Sequence, residues 1–341
     1  MTTTAEASAG PTPALATAAL DLHHLRTEFR IEGAWHAAVD DISFSIAPRE
    51  TLALVGESGC GKSITALSIM GLVPRPQGRI AAGRILLDGT DLVPLAERAL
   101  EKLRGARVAM IFQEPMTSLN PVMTIGAQVA EALVVHQGLS RRAADAKALA
   151  VLEEVKIPSA ARRFHEYPHQ FSGGMRQRVM IAMALACEPA VLLADEPTTA
   201  LDVTIQAQVL GLLADLRQRH GMAMLFITHN LGVVAQIADR VAVMYAGQIV
   251  EQAPVHAIFA NPAHPYTRAL FAAIPRLDMP DQDLAAIPGR VPPLNAMPTG
   301  CRIAPRCPLA QSGCETPQVL AELTPAHSVR CHVATGARAA A

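Results

Sequence analysis

One short stretch combines glycine, serine and lysine at the spacing of a phosphate-binding loop. It reads Gly-Glu-Ser-Gly-Cys-Gly-Lys-Ser from Gly56 to Ser63, follows the apolar run Thr51–Val55 and precedes a run with helical spacing. Small residues here let backbone N–H groups converge on phosphate oxygens, and the following helix presents its positive N-terminal end. Lys62 would reach the β- and γ-phosphates of a nucleotide, and the hydroxyl of Ser63 would coordinate Mg²⁺. The predicted nucleotide-binding residues of this stretch are Gly56, Glu57, Ser58, Gly59, Cys60, Gly61, Lys62, Ser63 and Ile64.

A second motif supplies the two carboxylates that nucleotide hydrolysis needs. Val191–Ala194 is an apolar run that predicts a buried strand, and Asp195 and Glu196 follow at its tip. Beside the phosphate loop, Asp195 can hold Mg²⁺ through water, and Glu196 can polarise an attacking water as general base. Either carboxylate alone would fit a solvated turn. Together with the loop, they predict hydrolysis of the bound nucleotide.

The eight residues that begin at Phe171, Phe-Ser-Gly-Gly-Met-Arg-Gln-Arg, resemble the signature motif of ABC-type ATPases. Phe171 and Met175 stand where the usual Leu-Ser-Gly-Gly-Gln has leucine and glutamine, and both replacements are familiar in the peptide-importer branch. Ser172, Gly173 and Gly174 keep the hydroxyl and the exposed backbone amides, which can grip a γ-phosphate at a helix N-terminus.

The resemblance covers about residues 20–255 and implies roles for further residues. Gln113 matches the glutamine that senses Mg²⁺ and couples to the membrane partner. Asp202, in Ala200-Leu201-Asp202, matches the loop that contacts the opposing subunit, and His229 matches the histidine that contacts the γ-phosphate. An aromatic side chain could stack on adenine; Phe29, at a predicted strand end, is preferred to Trp35.

The hydrophobic patterns predict strands that alternate with helices, as in an α/β protein with a largely parallel sheet covered on both faces. The predicted strands are 20–30, 36–46, 51–55, 84–91, 107–112, 190–194, 222–228 and the hairpin 240–253. The predicted helices are 128–136, 141–155, 174–187, 205–220 and 233–238. The resemblance implies the ABC-type P-loop NTPase fold: a RecA-like parallel sheet, an antiparallel β subdomain, and a helical insert at about 114–172.

The resemblance also implies a mechanism in which two cassettes face each other head to tail. Each ATP would lie between the phosphate loop of one and Ser172, Gly173 and Gly174 of the other. ATP closes the dimer and hydrolysis reopens it, and this change of shape passes to two membrane permease subunits, which would dock on the helical insert. The opposing cassette would be a sister ATPase or a second copy, and an extracytoplasmic solute-binding protein would take part indirectly.

Composition changes near residue 255, since 13 of the 25 prolines lie at or after Pro254. The sequence therefore predicts a disordered leader at 1–19, an ATPase domain at 20–255 and a proline-punctuated extension at 256–341 in which regular elements give way. Asn261–Leu270, Ile287–Leu294 and Cys301–Pro308 resemble the extension of dipeptide and oligopeptide importer ATPases. With them, the match runs from about residue 20 to 332.

Four of the six cysteines lie in this extension: Cys301, Cys307, Cys314 and Cys331. Their C-x5-C-x6-C-x16-C spacing differs from the paired C-x2-C of a typical zinc ribbon. Four thiolates in a proline-rich loop suit a 4Fe–4S cluster, which some members of the family are reported to carry. Zinc, and packed or free thiols without a metal, stay open as alternatives.

The net charge and the hydropathy of the chain limit the partners and the cellular location that it can have. A formal net charge of −1 gives no basic field for nucleic acid. The longest apolar stretch, Val179–Cys187, is far shorter than the ~18–20 residues of a spanning helix. The resemblance implies a peripheral subunit, held by other chains at the cytoplasmic face of the inner membrane. Its cargo would be di- or oligopeptides, with nickel chelates or glutathione as alternatives; a soluble ABC ATPase and an iron–sulfur sensor with a vestigial site are the rival functions.

Overall fold

A computed structural model describes residues 18–113, 118–199, 201–273 and 287–339. Most of the predicted leader, the first residues of the predicted insert and Ala200 lie outside these ranges. Within them, no helix is both long and apolar enough to cross a lipid bilayer.

The larger sheet has eight strands in the order β11-β12-β10-β9-β3-β8-β7-β6. Its strands are β3 (Thr51–Val55), β6 (Val108–Ile111), β7 (Val191–Asp195), β8 (Ala223–Thr228), β9 (Arg240–Tyr245), β10 (Gln248–Pro254), β11 (Ala321–Thr324) and β12 (His327–Val329). The five strands from β6 to β9 run parallel, and β10, β12 and β11 continue the sheet antiparallel. Strands β3, β7 and β8 are buried along their whole length, which explains their continuous apolar sequences.

The smaller sheet is antiparallel, in the order β2-β1-β4-β5. Its strands are β1 (Leu20–Ile31), β2 (Ala34–Ile46), β4 (Gly78–Leu87) and β5 (Thr90–Asp91). Its hairpin turns are at Glu32-Gly33 and Asp88-Gly89, and all four residues have positive φ as tight hairpins require. Strand β4 begins six residues earlier than the prediction of 84–91, because its first half pairs with β1 although few of its side chains are buried.

Eleven helices lie in the described ranges: α1 (Lys62–Ile69), α2 (Glu97–Leu103), α3 (Ile125–Gln137), α4 (Arg141–Glu154), α5 (Ala160–Arg163), α6 (Gly173–Leu185), α7 (Val203–His220), α8 (Leu231–Ile237), α9 (Val255–Ala260), α10 (Pro265–Ala272) and α11 (His332–Ala339). Helices α3, α4 and α5 lie between β6 and β7 and form the predicted insert. Helix α2 was not predicted from the sequence; it has seven residues and buries only Leu100.

The expectation that regular elements give way after residue 255 is wrong. Three helices and two strands follow, and β12 pairs with β10, with Glu251 opposite Val329. Pro265 starts α10 instead of breaking it, because proline lacks only an N–H that the first helical turn leaves unpaired. The division of the chain into domains at 255 stays a prediction.

A buried carboxylate holds this C-terminal region to the sheet. Glu251 in β10 is fully buried and accepts hydrogen bonds from the backbone N–H groups of Ala263 (2.7 Å) and His264 (2.9 Å). Its third partner is Nε2 of His327 in β12, at 2.8 Å. One side chain therefore ties the start of α10 and strand β12 to the same point of the sheet.

Candidate nucleotide site

The predicted phosphate loop lies between β3 and α1, and its glycines are required by close packing. A Cβ added at Gly56 would lie 2.1 Å from the carbonyl oxygen of Met244 in β9. At Gly61, φ is +107° and an added Cβ would lie 2.7 Å from the carbonyl oxygen of Ala38 in β2. The loop therefore fits against both sheets only as glycine at these two positions.

Lys62, the first residue of α1, is bent back over the loop. Its Nζ donates hydrogen bonds to the carbonyl oxygens of Gly56 (2.9 Å) and Glu57 (3.0 Å), and its side chain is buried. Cys60 is also buried, and burial raises the pKa of its thiol. The ammonium is thus fixed at the phosphate loop by the loop itself, while Cys60 packs under it.

A cavity of about 270 Å³ opens beside this loop and gathers most of the predicted nucleotide site. Lys62 and Ser63 line it together with Gln113, Glu196 and Phe29. The remaining lining residues are Ala38, Ser58, Gly59, Gly61, Ile64 and Leu294. Leu294 belongs to the C-terminal region, and no feature of its sequence motif pointed to this place.

The structure separates the two aromatic candidates for adenine stacking. Phe29, near the end of β1, lines the cavity. The ring of Trp35, in β2, lies under the guanidinium of Arg79 at 4.1 Å and lines a different depression. This placement favours Phe29, whose contact with adenine stays a prediction.

Asp195, the last residue of β7, reaches the loop with a carboxylate that is partly unsatisfied. It is buried, it shares a hydrogen bond with the hydroxyl of Ser63, and burial raises its pKa. Among the residues the structure describes, its Oδ1 has no hydrogen-bond partner. A buried, unpartnered carboxylate oxygen next to a serine hydroxyl is a donor set that fits Mg²⁺.

Glu196 is the centre of a hydrogen-bonded group. Its Oε2 accepts from Nε2 of Gln113 and from Oγ1 of Thr199, both at 3.0 Å, and its Oε1 lies 2.9 Å from Nδ1 of His229. Burial would raise the pKa of Glu196, but the hydrogen bonds from His229 and Thr199 hold it below its usual value. The carboxylate is therefore ionised and oriented at neutral pH, as a general base must be.

The backbone of Glu196 is also unusual, with φ of +47° in a residue that is not glycine. Non-glycine residues in this region are strained and gather at functional sites. Thr199 was missed by the sequence reasoning. Its signal is local, since a threonine three residues after a turn carboxylate can reach back to it.

The signature residues lie at the N-terminus of α6. Ser172 caps this helix, its Oγ accepting from the N–H of Met175 at 3.4 Å. Gly173 is exposed, and a Cβ added there would meet no atom within 4 Å. At Gly174 an added Cβ would lie 2.6 Å from Cγ2 of Ile205, so this glycine lets α6 and α7 approach.

The structure does not bring the signature residues to the phosphate loop of the same chain. None of the described residues that line the cavity belongs to 171–178. Asp202 caps α7, its Oδ1 accepting from the N–H of Ile205 at 2.9 Å. Contact of Asp202 or the signature with a second cassette stays a prediction.

The four C-terminal cysteines are free thiols that lie near one another. The N–H of Cys301 donates to the carbonyl of Cys314 at 2.8 Å. Burial raises the pKa of Cys301, and the neighbouring thiols of Cys314, Cys331 and Cys307 raise it further. Within the described ranges, no group of three or more His, Cys, Asp or Glu side chains is arranged to hold a metal ion.

Two side chains of the C-terminal region contact the phosphate loop at Glu57, and sequence reasoning missed both. The hydroxyl of Tyr266, in α10, accepts from the N–H of Glu57 at 3.0 Å. Nη1 of Arg306 lies 3.2 Å from each carboxylate oxygen of Glu57.

Known proteins resemble this chain in sequence over most of its length. Residues 39–199 match the family described as ABC transporter, and residues 250–314 match the oligopeptide/dipeptide transporter C-terminal region. A putative peptide import ATP-binding protein of Brucella abortus strain 2308 is 51% identical over 312 residues, which cover 92% of this chain and 94% of that protein. A protein of the same description from Brucella melitensis biotype 1 is 53% identical over 324 residues, covering 92% of this chain and 96% of that one.

Solved structures share the fold of the cassette. The ATP-binding cassette MJ0796, in a dimeric post-hydrolysis state bound to ADP and Pi, has a TM-score of 0.62 and 26% identity, covering 69% of this chain and 98% of that one. The protein cbiO1 of Clostridium perfringens, part of an ABC transporter complex, has a TM-score of 0.62 and 25% identity, covering 72% and 92%. This chain belongs to the ABC transporter family and carries the C-terminal region of its oligopeptide and dipeptide transporters.

Proposed function

We propose that this chain is the ATP-hydrolysing subunit of a peptide importer. The observation that carries the proposal is the carboxylate of Glu196, held by Gln113, Thr199 and His229 in the cavity that Lys62 and Ser63 also line. The peptide cargo is supported by the C-terminal match and by relatives described as peptide import ATP-binding proteins.

The residues of the cavity divide the work of hydrolysis. The N–H groups of the loop and the ammonium of Lys62 bind the phosphates, and the hydroxyl of Ser63 with the carboxylate of Asp195 would hold Mg²⁺. When bound there, the ion would supply neutralisation of the phosphate charge. The water oxygen bonds to the γ-phosphorus while the bond to the bridging oxygen breaks and ADP leaves; Glu196 accepts the proton of this water, and Gln113 and His229 orient its carboxylate. Phe29 stacks on adenine.

The opposite side of the bound ATP comes from a second cassette. Ser172 and Gly173 are exposed at the N-terminus of α6, where a helix presents its positive end, and they are absent from the cavity lining described above. A head-to-tail dimer brings them, Gly174 and the Asp202 loop to the γ-phosphate of the opposing chain. The partner is a sister ATPase or a second copy.

An apolar groove next to Gln113 suits the permease contact. It has a volume of about 240 Å³ and is lined by methionines 70, 110, 180 and 183 with Phe112, which is 41% exposed. Methionine-rich surfaces adapt to apolar partner helices. A permease helix seated here would hold the chain at the cytoplasmic face of the membrane and would sense the position of Gln113 directly.

We also propose that Cys301, Cys307, Cys314 and Cys331 hold a 4Fe–4S cluster with a structural role. The support is chemical: four neighbouring thiols without disulfides are the donor set that such a cluster takes, although their described positions do not form a ready-made site for a metal ion. Iron, zinc and acid-labile sulfide measured on protein purified without oxygen test this. About four irons and four sulfides per chain, lost on Cys307→Ser, are expected; one zinc or no metal would contradict it.

The peptide-import function is tested by reconstituting the chain with its permease subunits in vesicles. ATP hydrolysis should rise when the solute-binding protein is added with peptide, and Lys62→Ala in this chain should abolish uptake. Uptake of a nickel chelate or of glutathione without uptake of peptide would show that the cargo is not peptide. ATP hydrolysis without any association with the permease subunits would contradict the transport function itself.

A further inference from the structure

Glu57 places a carboxylate on the loop that has to attract a polyanion. Its backbone N–H is held by the hydroxyl of Tyr266 at 3.0 Å, and its side chain, 27% exposed, faces Arg306 of the C-terminal region. Nη1 of Arg306 lies 3.2 Å from both oxygens of the carboxylate. The second residue of the phosphate loop is therefore held from outside the loop by two side chains of the C-terminal region.

Arg306 is itself rigidly placed. Its side chain is 6% exposed, and its Nε donates to the carbonyl of Pro288 at 2.6 Å. Nη2 reaches the carbonyls of Ile287 (3.3 Å) and Gly289 (3.4 Å), and Nη1 reaches the hydroxyl of Tyr245 at 3.3 Å. Because every nitrogen of the guanidinium has a hydrogen-bond partner, the side chain of Arg306 is held in place beside Glu57.

This arrangement explains how the loop tolerates a carboxylate. A free negative charge on the loop would repel the triphosphate, and the repulsion is larger in a partly buried site than in water. Paired with a fixed guanidinium, the carboxylate contributes no net charge. Its contact and the Tyr266 hydrogen bond still hold the beginning of the loop in place.

We propose that Arg306 is a positioning residue of the ATP site, which neutralises Glu57 and thereby makes ATP affinity depend on the C-terminal region. The inference rests on the proposed function, in that the loop binds ATP. It adds that the charge of Arg306, in the region bearing the cysteines, contributes to the nucleotide site.

A charge-neutralisation series on the full chain tests the proposal. Arg306→Gln leaves Glu57 unpaired, and ATP affinity should fall by about three- to tenfold, as expected for one like charge left near a polyanion in a partly solvated site. Glu57→Gln leaves the guanidinium of Arg306 unpaired near the triphosphate and should therefore raise ATP affinity. The double variant removes both charges and should therefore return to within about twofold of the parent. Arg290→Gln, which removes the same charge from an exposed residue of the same segment, is the matched control.

The kinetic constants distinguish an effect of charge on ATP binding from a loss of folding. The KM for ATP should rise in Arg306→Gln while kcat at saturating ATP stays near the parental value, because Glu196 and its partners are untouched. Unchanged affinity in Arg306→Gln, weaker binding in Glu57→Gln, or a double variant as weak as Arg306→Gln would each overturn the proposal. If Arg306→Gln does not fold, Glu57→Gln still decides. Absence of ATP binding in the parent chain would instead refute the proposed function.

Discussion

His264 gives the C-terminal region a pH dependence that can be calculated. Its side chain is buried, and its Nδ1 accepts from the N–H of Tyr266 at 3.1 Å. Burial, with a smaller contribution from the nearby charge of Arg268, lowers the pKa of His264 to about 3. The folded chain therefore keeps this imidazole neutral at pH values where the unfolded chain protonates it.

The sign and the size follow from the two pKa values. Above about pH 6.5, the pKa of an unfolded histidine, neither state carries the proton and stability is complete. As pH falls towards about 3, the unfolded state alone gains the proton, so stability falls by about 1.4 kcal/mol per pH unit. Between pH 8 and pH 5 His264 thus removes about 2 kcal/mol from the free energy of unfolding.

His264→Asn tests this calculation. Asparagine is also a good helix cap and can accept from Tyr266, but it does not titrate. We expect the parent to lose about 2 kcal/mol more than this variant between pH 8 and pH 5, in denaturant unfolding followed by circular dichroism. His256→Asn, on the exposed side of α9, should behave as the parent. Parallel loss in the parent and His264→Asn would refute the reasoning.

Three further tests have defined outcomes. Glu251→Ala leaves three buried donors without an acceptor and should lower the free energy of unfolding by about 3–5 kcal/mol. In denaturant unfolding, a loss below about 1 kcal/mol would contradict the anchoring role. Phe29→Ala should weaken ATP binding by about 1–2 kcal/mol in calorimetry, whereas Trp35→Ala should leave it unchanged. Weaker binding in Trp35→Ala but not in Phe29→Ala would instead assign adenine stacking to Trp35. Lys62→Ala should abolish nucleotide binding in the same assay, and undiminished affinity would contradict the assignment of the phosphate loop.

The catalytic half of the site could be predicted because its signals are short in sequence. The phosphate loop carries its own glycines and lysine, and Asp195 and Glu196 follow an apolar run whose burial the sequence makes plain. Parallel strands end at one edge, so these motifs had to meet there. The position of His229, directly after β8, follows from the same rule.

The contribution of the C-terminal region could not be read in this way. Glu57 and Arg306 are 249 positions apart, and Glu57 and Tyr266 are 209 apart, with no periodic pattern to link them. Strands β11 and β12, with four and three residues, are too short to show alternation. The high proline count led to the wrong prediction of an irregular region. Proline is common in loops, but it is also common in the first turn of a helix.

Single-turnover ATP hydrolysis by Glu196→Gln tests the central claim most directly. Glutamine keeps the size of the side chain and an oxygen for Gln113 or Thr199, but it cannot accept the proton of water. The account predicts ATP binding within a few-fold of the parent and hydrolysis slower by about 10²–10⁴-fold, the usual contribution of a general base. Hydrolysis at the parental rate would contradict the assignment of Glu196 and, with it, the proposed mechanism.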